Sequence, residues 1–266
     1  VTIGFNHLGT MGQLGNQMFQ YAAAKGISKN IGTNFIIPNH GQIVNDNLGN
    51  KLRIELFDCF KINPDNVGFL DTQNYFPEKH FEFDSELFNT RIKEDFSLVG
   101  YFQTEKYFSN VSDDIRKDFS FLDHIVSDCK EYLNFFDNPV ALHIRRGDYL
   151  INSKNHHNLS LDFYEYALSK FSSNRQVIIF SDDPEWCKEQ ELFSDDRFLV
   201  SEGGSSYHDL YLMSKCSDFI IANSTFSWWG AWLSNVGKVI APSKWFGPNN
   251  SDKITKDLYC SHWIII

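Results

Sequence analysis

From residue 139 onward, short apolar runs alternate with helix-length segments, and this alternation limits the fold more than any other feature of the chain. Strands are expected at 140–144 (VALHI), 176–180 (QVIIF), 197–200, 219–222 and 238–241. Helices are expected at 161–171, 184–192 (opening on Pro184), 206–215 and 226–235. A strand that is apolar along its whole length has both faces covered. Strands separated by helices of about ten residues run parallel, because each connection must cross over. The expected class is α/β, with parallel sheets and helices on both faces.

The first half is less regular. A strand is expected at 3–5, a helix at 15–28 with Met18, Phe19, Ala22 and Ala23 near helical spacing, and a strand at 34–37 closed by Pro38. Residues 39–95 are rich in Asn, Asp and Phe and read as loop-heavy. A strand follows at 97–102, a helix near 105–108 and a longer helix over 113–136. Asn138-Pro139 marks the boundary, since the residue before a proline leaves the helical region. At roughly 150 residues per domain, 266 residues divide into an N-terminal lobe, 1–138, and a C-terminal lobe, 139–266.

Composition narrows the ligand. With 24 basic and 34 acidic side chains the net charge is −10. That balance argues against nucleic acid and anionic membrane surfaces, and it requires a local basic cluster for any anionic ligand. Aromatics at 16% suit sugar-stacking surfaces as well as a core. Five scattered cysteines, with no CxxC pair, point to reduced thiols in a soluble cytoplasmic protein, without a zinc site or disulfide framework. No window approaches the roughly 20 apolar residues of a membrane span, and residues 1–5 read as a strand rather than a leader.

Chemistry concentrates in a few places. His143-Ile144-Arg145-Arg146-Gly147-Asp148-Tyr149 leaves a buried strand at its carboxyl end, where open parallel sheets bind ligands. Two arginines there either form ordinary surface ion pairs or present planar forks to phosphate oxygens. Gly12-Gln13-Leu14-Gly15-Asn16-Gln17 joins a loop to a helix start, but its spacing is not the GxGxxG dinucleotide fingerprint. Asn16 and Gln17 are placed there to reach a hydroxylated ligand. Asn223-Ser224-Thr225 caps a helix whose Trp228, Trp229 and Trp232 suit burial, and the same hydroxyls and amides also suit a phosphate. Asp182-Asp183 resembles a metal-binding pair, yet capping before Pro184 explains it. His156 and His157 lie in a polar loop, as solvated side chains or as a general base.

Four blocks carry a resemblance: GQLGNQMFQYA (12–22), GYFQTEKYF (100–108), HIRRGDY (143–149) and SDFIIANSTFSWWGAWL (217–233). Together, in this order, they resemble the family 11 glycosyltransferases, the α-1,2-fucosyltransferase family. The resemblance implies a GT-B-like architecture of two Rossmann-type lobes with the active site in the cleft between them. It further implies inverting transfer of L-fucose from GDP-β-L-fucose to a glycan hydroxyl, α-1,2 to galactose, without a metal. In the wider fucosyltransferase superfamily the matching roles place Arg145 on the β-phosphate and His143 and Asp209 on the guanine. Ser224, Thr225 and Ser227 line the diphosphate, and Gly15 and Asn16 approach the fucose. Asp148 and His157 are the candidate bases. The rival readings are transfer from another nucleotide sugar on the same fold, and a carbohydrate-binding protein without chemistry. The latter has no need of strand-end arginines. A Rossmann dehydrogenase is disfavoured by the missing glycine fingerprint.

Overall fold

A computed structural model describes residues 1–39, 43–45, 51–62, 67–202 and 204–266. The chain divides into two compact units. The first is Val1–Leu122 with Ile254–Cys260; the second is Asp123–Lys253 with Ser261–Ile266.

In the first unit β1 (Thr2–Gly4) is followed by α1 (Leu14–Ile31), β2 (Asn34–Ile36), the antiparallel pair β3 (Ile43–Asn45) and β4 (Lys51–Arg53), and α2 (Leu56–Cys59). Then come β5 (Tyr75–Pro77), α3 (Ser85–Phe88), β6 (Phe96–Val99) and α4 (Ser112–Asp118). A parallel sheet has the order β2-β1-β6-β5. Helix α1 is buried along most of its length because alanines and glycines let its neighbours come close. A Cβ on Gly26 would stand 1.9 Å from the Tyr107 carbonyl oxygen. The helix ends at Gly32, whose φ of 71° is the left-handed conformation that glycine tolerates.

The second unit holds α5 (Asp123–Leu133), β7 (Val140–Ile144), α6 (Gly147–Ile151), α7 (Leu161–Leu168), β8 (Val177–Ser181), α8 (Pro184–Lys188) and β9 (Phe198–Val200). It continues through α9 (Ser206–Ser214), β10 (Asp218–Ile220), α10 (Thr225–Ser234), β11 (Val239–Ala241) and β12 (Ile264–Ile265). Its six-stranded sheet is parallel throughout, in the order β12-β11-β10-β7-β8-β9. Every residue of β7 is buried, as expected for a central parallel strand.

Two expectations change. The helix read over 113–136 is two helices, because Phe121 makes an antiparallel bridge to Phe60 and the Leu122 amide donates to the Cys59 carbonyl. Main chain committed to those partners cannot stay helical. The division after residue 138 moves to Leu122, since α5 packs on α9 through Asp128 and Cys129. Asn138-Pro139 is instead the entrance to β7, inside the second unit.

The 254–260 segment returns to the first unit through Asp257, which accepts from the Phe83 amide at 3.0 Å and from Lys106 Nζ at 2.5 Å. Burial acts to raise this carboxyl, but the lysine and the amide outweigh it and hold it below its ordinary value. The stability it contributes is therefore complete above the unfolded-chain value of about 4 and is lost as pH falls through the lower folded value. Asp257→Asn is expected to cost about 1–2 kcal/mol at pH 7, a charged hydrogen bond discounted for the half-exposed lysine. Denaturant melts of both proteins at pH 7 and pH 3 check this: the difference shrinks in acid.

Candidate active site

The order of the second sheet singles out one place. From β7 the chain moves outward through β8 to β9, then returns to the other side of β7 and moves outward through β10, β11 and β12. Ligands of open parallel sheets lie at such a reversal, outside the carboxyl ends of the strands. The ends in question are β7, followed by Arg145, and β10, followed by Asn223 and Ser224.

Register explains the arginines. Ile144 of β7 pairs with Ser181 of β8, so the next two residues on each strand run side by side. Arg145 meets Asp182 (Nη1 to Oδ2, 3.2 Å) and also Asp148 (Nη2 to Oδ1, 2.6 Å). Arg146 meets Asp183 (Nε to Oδ2, 3.1 Å) and lies over the Trp186 ring at 3.8 Å, while its amide donates to Asp182. Gly147 makes room for this, since a Cβ there would stand 2.5 Å from Asp182 Oδ2. The anionic partners that the arginine pair requires thus exist within the chain. Asp183 also caps α8 through the Trp186 amide ahead of Pro184, as expected. Arg146 is fixed on both sides. Arg145 divides its guanidinium between two carboxylates, of which Asp148 is over half exposed.

Behind Arg145 the site is internally braced. His143 is buried, with Nδ1 2.8 Å from Ser227 Oγ and its ring 5.5 Å from that of Phe226. Burial and the Arg145 charge push its pKa down to about 3, so the ring is neutral. Tyr149 lies 5.4 Å from the Arg145 guanidinium and donates its hydroxyl to the Asn223 carbonyl. The Asn223 side chain donates to the carbonyls of His157 and Trp245, which fastens two loops to the end of β10. Helix α10 begins after Ser224, whose extended backbone is that of an N-cap, but its side chain makes no capping bond. Ser224 therefore occupies the expected position without the expected bond. Trp228, Trp229 and Trp232 are core, as expected.

Asp209 sits elsewhere along the strand ends. With Asp128, Cys129, Tyr132, Ser201, His208 and others it lines a pocket of about 300 Å³. Ser201 Oγ donates to Asp209 Oδ1 at 2.7 Å, and burial raises the carboxyl despite that bond. His143 does not line this pocket, so the expected guanine-reading pair is not assembled there.

Three further expectations are corrected. Ser227 is fully buried and its hydroxyl faces His143, so it braces the site from behind and does not line an anion. Gln17 is fully buried, donating to the Gly12 and Arg53 carbonyls and accepting from the Glu55 amide, so it holds the glycine loop rather than a ligand. His156 is only partly exposed, because one ring face stacks on Tyr149 at 4.2 Å. His157 is half-buried, and burial followed by the Lys244 charge lowers its pKa. In the first unit Gly15 is buried in α1, and half-buried Asn16 accepts from Gln103 Nε2 at 2.8 Å. Among the described residues no cluster of three or more His, Cys, Asp or Glu is placed to hold a metal ion, and no helix is long and apolar enough to cross a membrane.

The model of Glycosyl transferase family 11 matches residues 2–266. The chain belongs to that family. This family 11 transferase is 32% identical to the Escherichia coli O-antigen biosynthesis glycosyltransferase WbnK, over 92% of this chain and 96% of the relative. It is 34% identical to the Escherichia coli alpha-1,2-colitosyltransferase, over 88% and 90% of the two chains. Among solved structures it resembles POFUT1 in complex with GDP-fucose, with a TM-score of 0.56 at 13% identity over 88% of this chain and 94% of that one. That likeness is one of fold: two α/β lobes with parallel sheets, of GT-B type.

In this transferase the residues that sequence reasoning missed are those that brace others: Tyr149, Asn223, Trp186 and Gln103. Three of them lie in or beside motifs that were read, but nothing in a motif says which member faces inward. Helix α6 escaped notice because five residues carry no legible period.

Proposed function

We propose that the enzyme transfers L-fucose from GDP-β-L-fucose to a hydroxyl of an acceptor glycan, making an α-1,2 linkage to galactose with inversion at the transferred carbon. The observation that carries this reading is that the β7/β10 reversal puts Arg145 after one strand and the start of α10 after the other, where the Ser224 side chain makes no capping bond. Amides at a helix start and a guanidinium fork both suit a diphosphate. In this assignment Arg145 meets the β-phosphate, displacing exposed Asp148, while the hydroxyls of Ser224 and Thr225 and the α10 amides meet the rest. Asp209 accepts the two adjacent N–H donors of guanine. His143, neutral and locked on Ser227, stands behind Arg145. Gly15 and Asn16 approach the fucose.

As the C–O bond breaks, charge grows on the departing GDP, and donors fixed in advance stabilise it most. Early bond breaking gives an oxocarbenium-like state that asks little of a base. Asp148 and His157 are the two candidates for removing the acceptor proton. Arg145 and the α10 amides supply positive charge where other transferases employ a divalent ion, so EDTA is expected to leave turnover intact. Abolition by chelation with recovery on Mn²⁺ or Mg²⁺ would overturn that part. A second reading, colitosyl transfer, is favoured by the 34% identity to the colitosyltransferase.

One experiment separates the readings. The enzyme is incubated with fucosyl and colitosyl GDP donors and a panel of galactose-terminated and other glycans, and the linkage is read from the product. In parallel, GDP is expected to raise the melting temperature while UDP and ADP do not. Stabilisation by UDP alone would refute the donor assignment.

A further inference from the structure

We infer that Gln103 is a positioning residue, which orients the Asn16 amide so that the two side chains together receive one sugar hydroxyl. The inference rests on the transferase reading of Asn16 and extends it to a residue of the 100–108 block that the proposed mechanism leaves without a role.

The turn after β6 is built at some strain. Phe102 is fully buried and has a φ of 53°, the left-handed region that non-glycine residues avoid. It is held there by the Glu78 carboxylate, which accepts from the Tyr101 and Phe102 amides, both at 2.9 Å. From the other side Gln20 Nε2 donates to the Gly100 carbonyl at 2.9 Å. A turn fixed from two directions delivers the next side chain, Gln103, to one place. Gln103 is 8% exposed, its Nε2 donates to Asn16 Oδ1, and its buried Oε1 has no protein partner.

Asn16 is confined from the opposite side. Gly12 has a φ of +92°, and a Cβ on it would come within 2.2 Å of Asn16 Nδ2. Glycine at this position serves two needs at once, the backbone conformation and the space for the amide. With Oδ1 engaged by Gln103, Asn16 has its Nδ2 donors to offer, and Gln103 keeps Oε1 as an acceptor that no protein group uses. A sugar hydroxyl both donates and accepts, and the pair matches it. If both amides are turned over, Gln103 Nε2 and Asn16 Oδ1 become the free donor and acceptor, and the match persists.

The hydroxyl belongs either to the sugar of the donor or to the acceptor glycan. Two variants, read by calorimetry and by steady-state kinetics, decide. Gln103→Met removes both amide atoms at similar volume. Gln103→Glu cannot donate to Asn16 Oδ1, so it forces the Asn16 amide to turn over. GDP, which carries no sugar, is expected to bind both variants within twofold of the wild type by calorimetry. Turnover is expected to fall tenfold to a hundredfold in kcat/KM. A loss seen in donor KM and in acceptor-free donor hydrolysis assigns the hydroxyl to the donor sugar; a loss confined to acceptor KM assigns it to the acceptor. Either result upholds the inference. Wild-type kcat/KM in both folded variants overturns it, as does GDP affinity that falls in step with turnover, since that signals general damage. A wild-type enzyme inert toward the fucosyl donor would count against the donor assignment alone, and the same variants would then be read with the colitosyl donor.

Discussion

Arg145→Lys is expected to lower kcat by about 10²–10³ while raising the donor KM far less, the scale seen when one donor to a developing oxyanion is removed. The lysine keeps the charge but loses the planar fork, and a single ammonium cannot hold Asp182 and a phosphate oxygen with the same geometry. An interaction that strengthens as charge grows on the departing diphosphate appears in kcat rather than in ground-state binding. The neighbouring residue is the control. Arg146 is stacked on Trp186 and bonded to Asp183, and consecutive residues leaving a strand point to opposite faces. Arg146→Lys should therefore cost stability, about 1–2 kcal/mol from the stack and the lost ion-pair geometry, with turnover close to wild type. Steady-state kinetics and melts on both variants test the assignment. A large loss of turnover in Arg146→Lys, with little in Arg145→Lys, would reverse it.

What was legible in the sequence follows from how each feature is encoded. The second-unit strands were legible because a central parallel strand is apolar along its whole length, and VALHI and QVIIF announce that directly. The observed β7 and β8 match those expectations to within a residue. The break at 119–122 was not legible. It is set by Phe60 and Cys59, some sixty residues away, and a helical period does not record a distant main-chain bridge. The same distinction runs through the site. That Arg145 and Arg146 leave a strand end was readable. That Asp182 and Asp183 stand opposite them depends on the β7/β8 register, which no local pattern states. Ser227 and Gln17 were placed in the right segments but facing the wrong way. Each is polar and lies beside a motif, and only the fold shows that its hydrogen bonds are spent inside the protein.

Asp209→Asn is expected to weaken GDP binding about tenfold to a hundredfold, because a carboxylate that accepts two guanine donors makes charge-assisted bonds of roughly 1.5–3 kcal/mol each. Asparagine accepts one and opposes the other with a donor of its own. Its carbonyl oxygen can still take the Ser201 hydroxyl, so the local fold has no reason to change. Stability should move the other way. Burial raises the Asp209 carboxyl, so the ionised side chain is a cost to the folded state at neutral pH. A neutral amide removes that cost, and the variant should be slightly more stable than wild type at pH 7. The gain fades as pH falls below the ordinary carboxylate range, where the wild-type side chain is protonated in both states. Opposite signs for affinity and stability distinguish a ligand-reading carboxylate from a structural one, whose loss would lower both. Calorimetry with GDP and melts at pH 7 and pH 3.5 supply the two readouts. Unchanged GDP affinity in a folded Asp209→Asn protein would remove this residue, and the pocket it lines, from the nucleotide site.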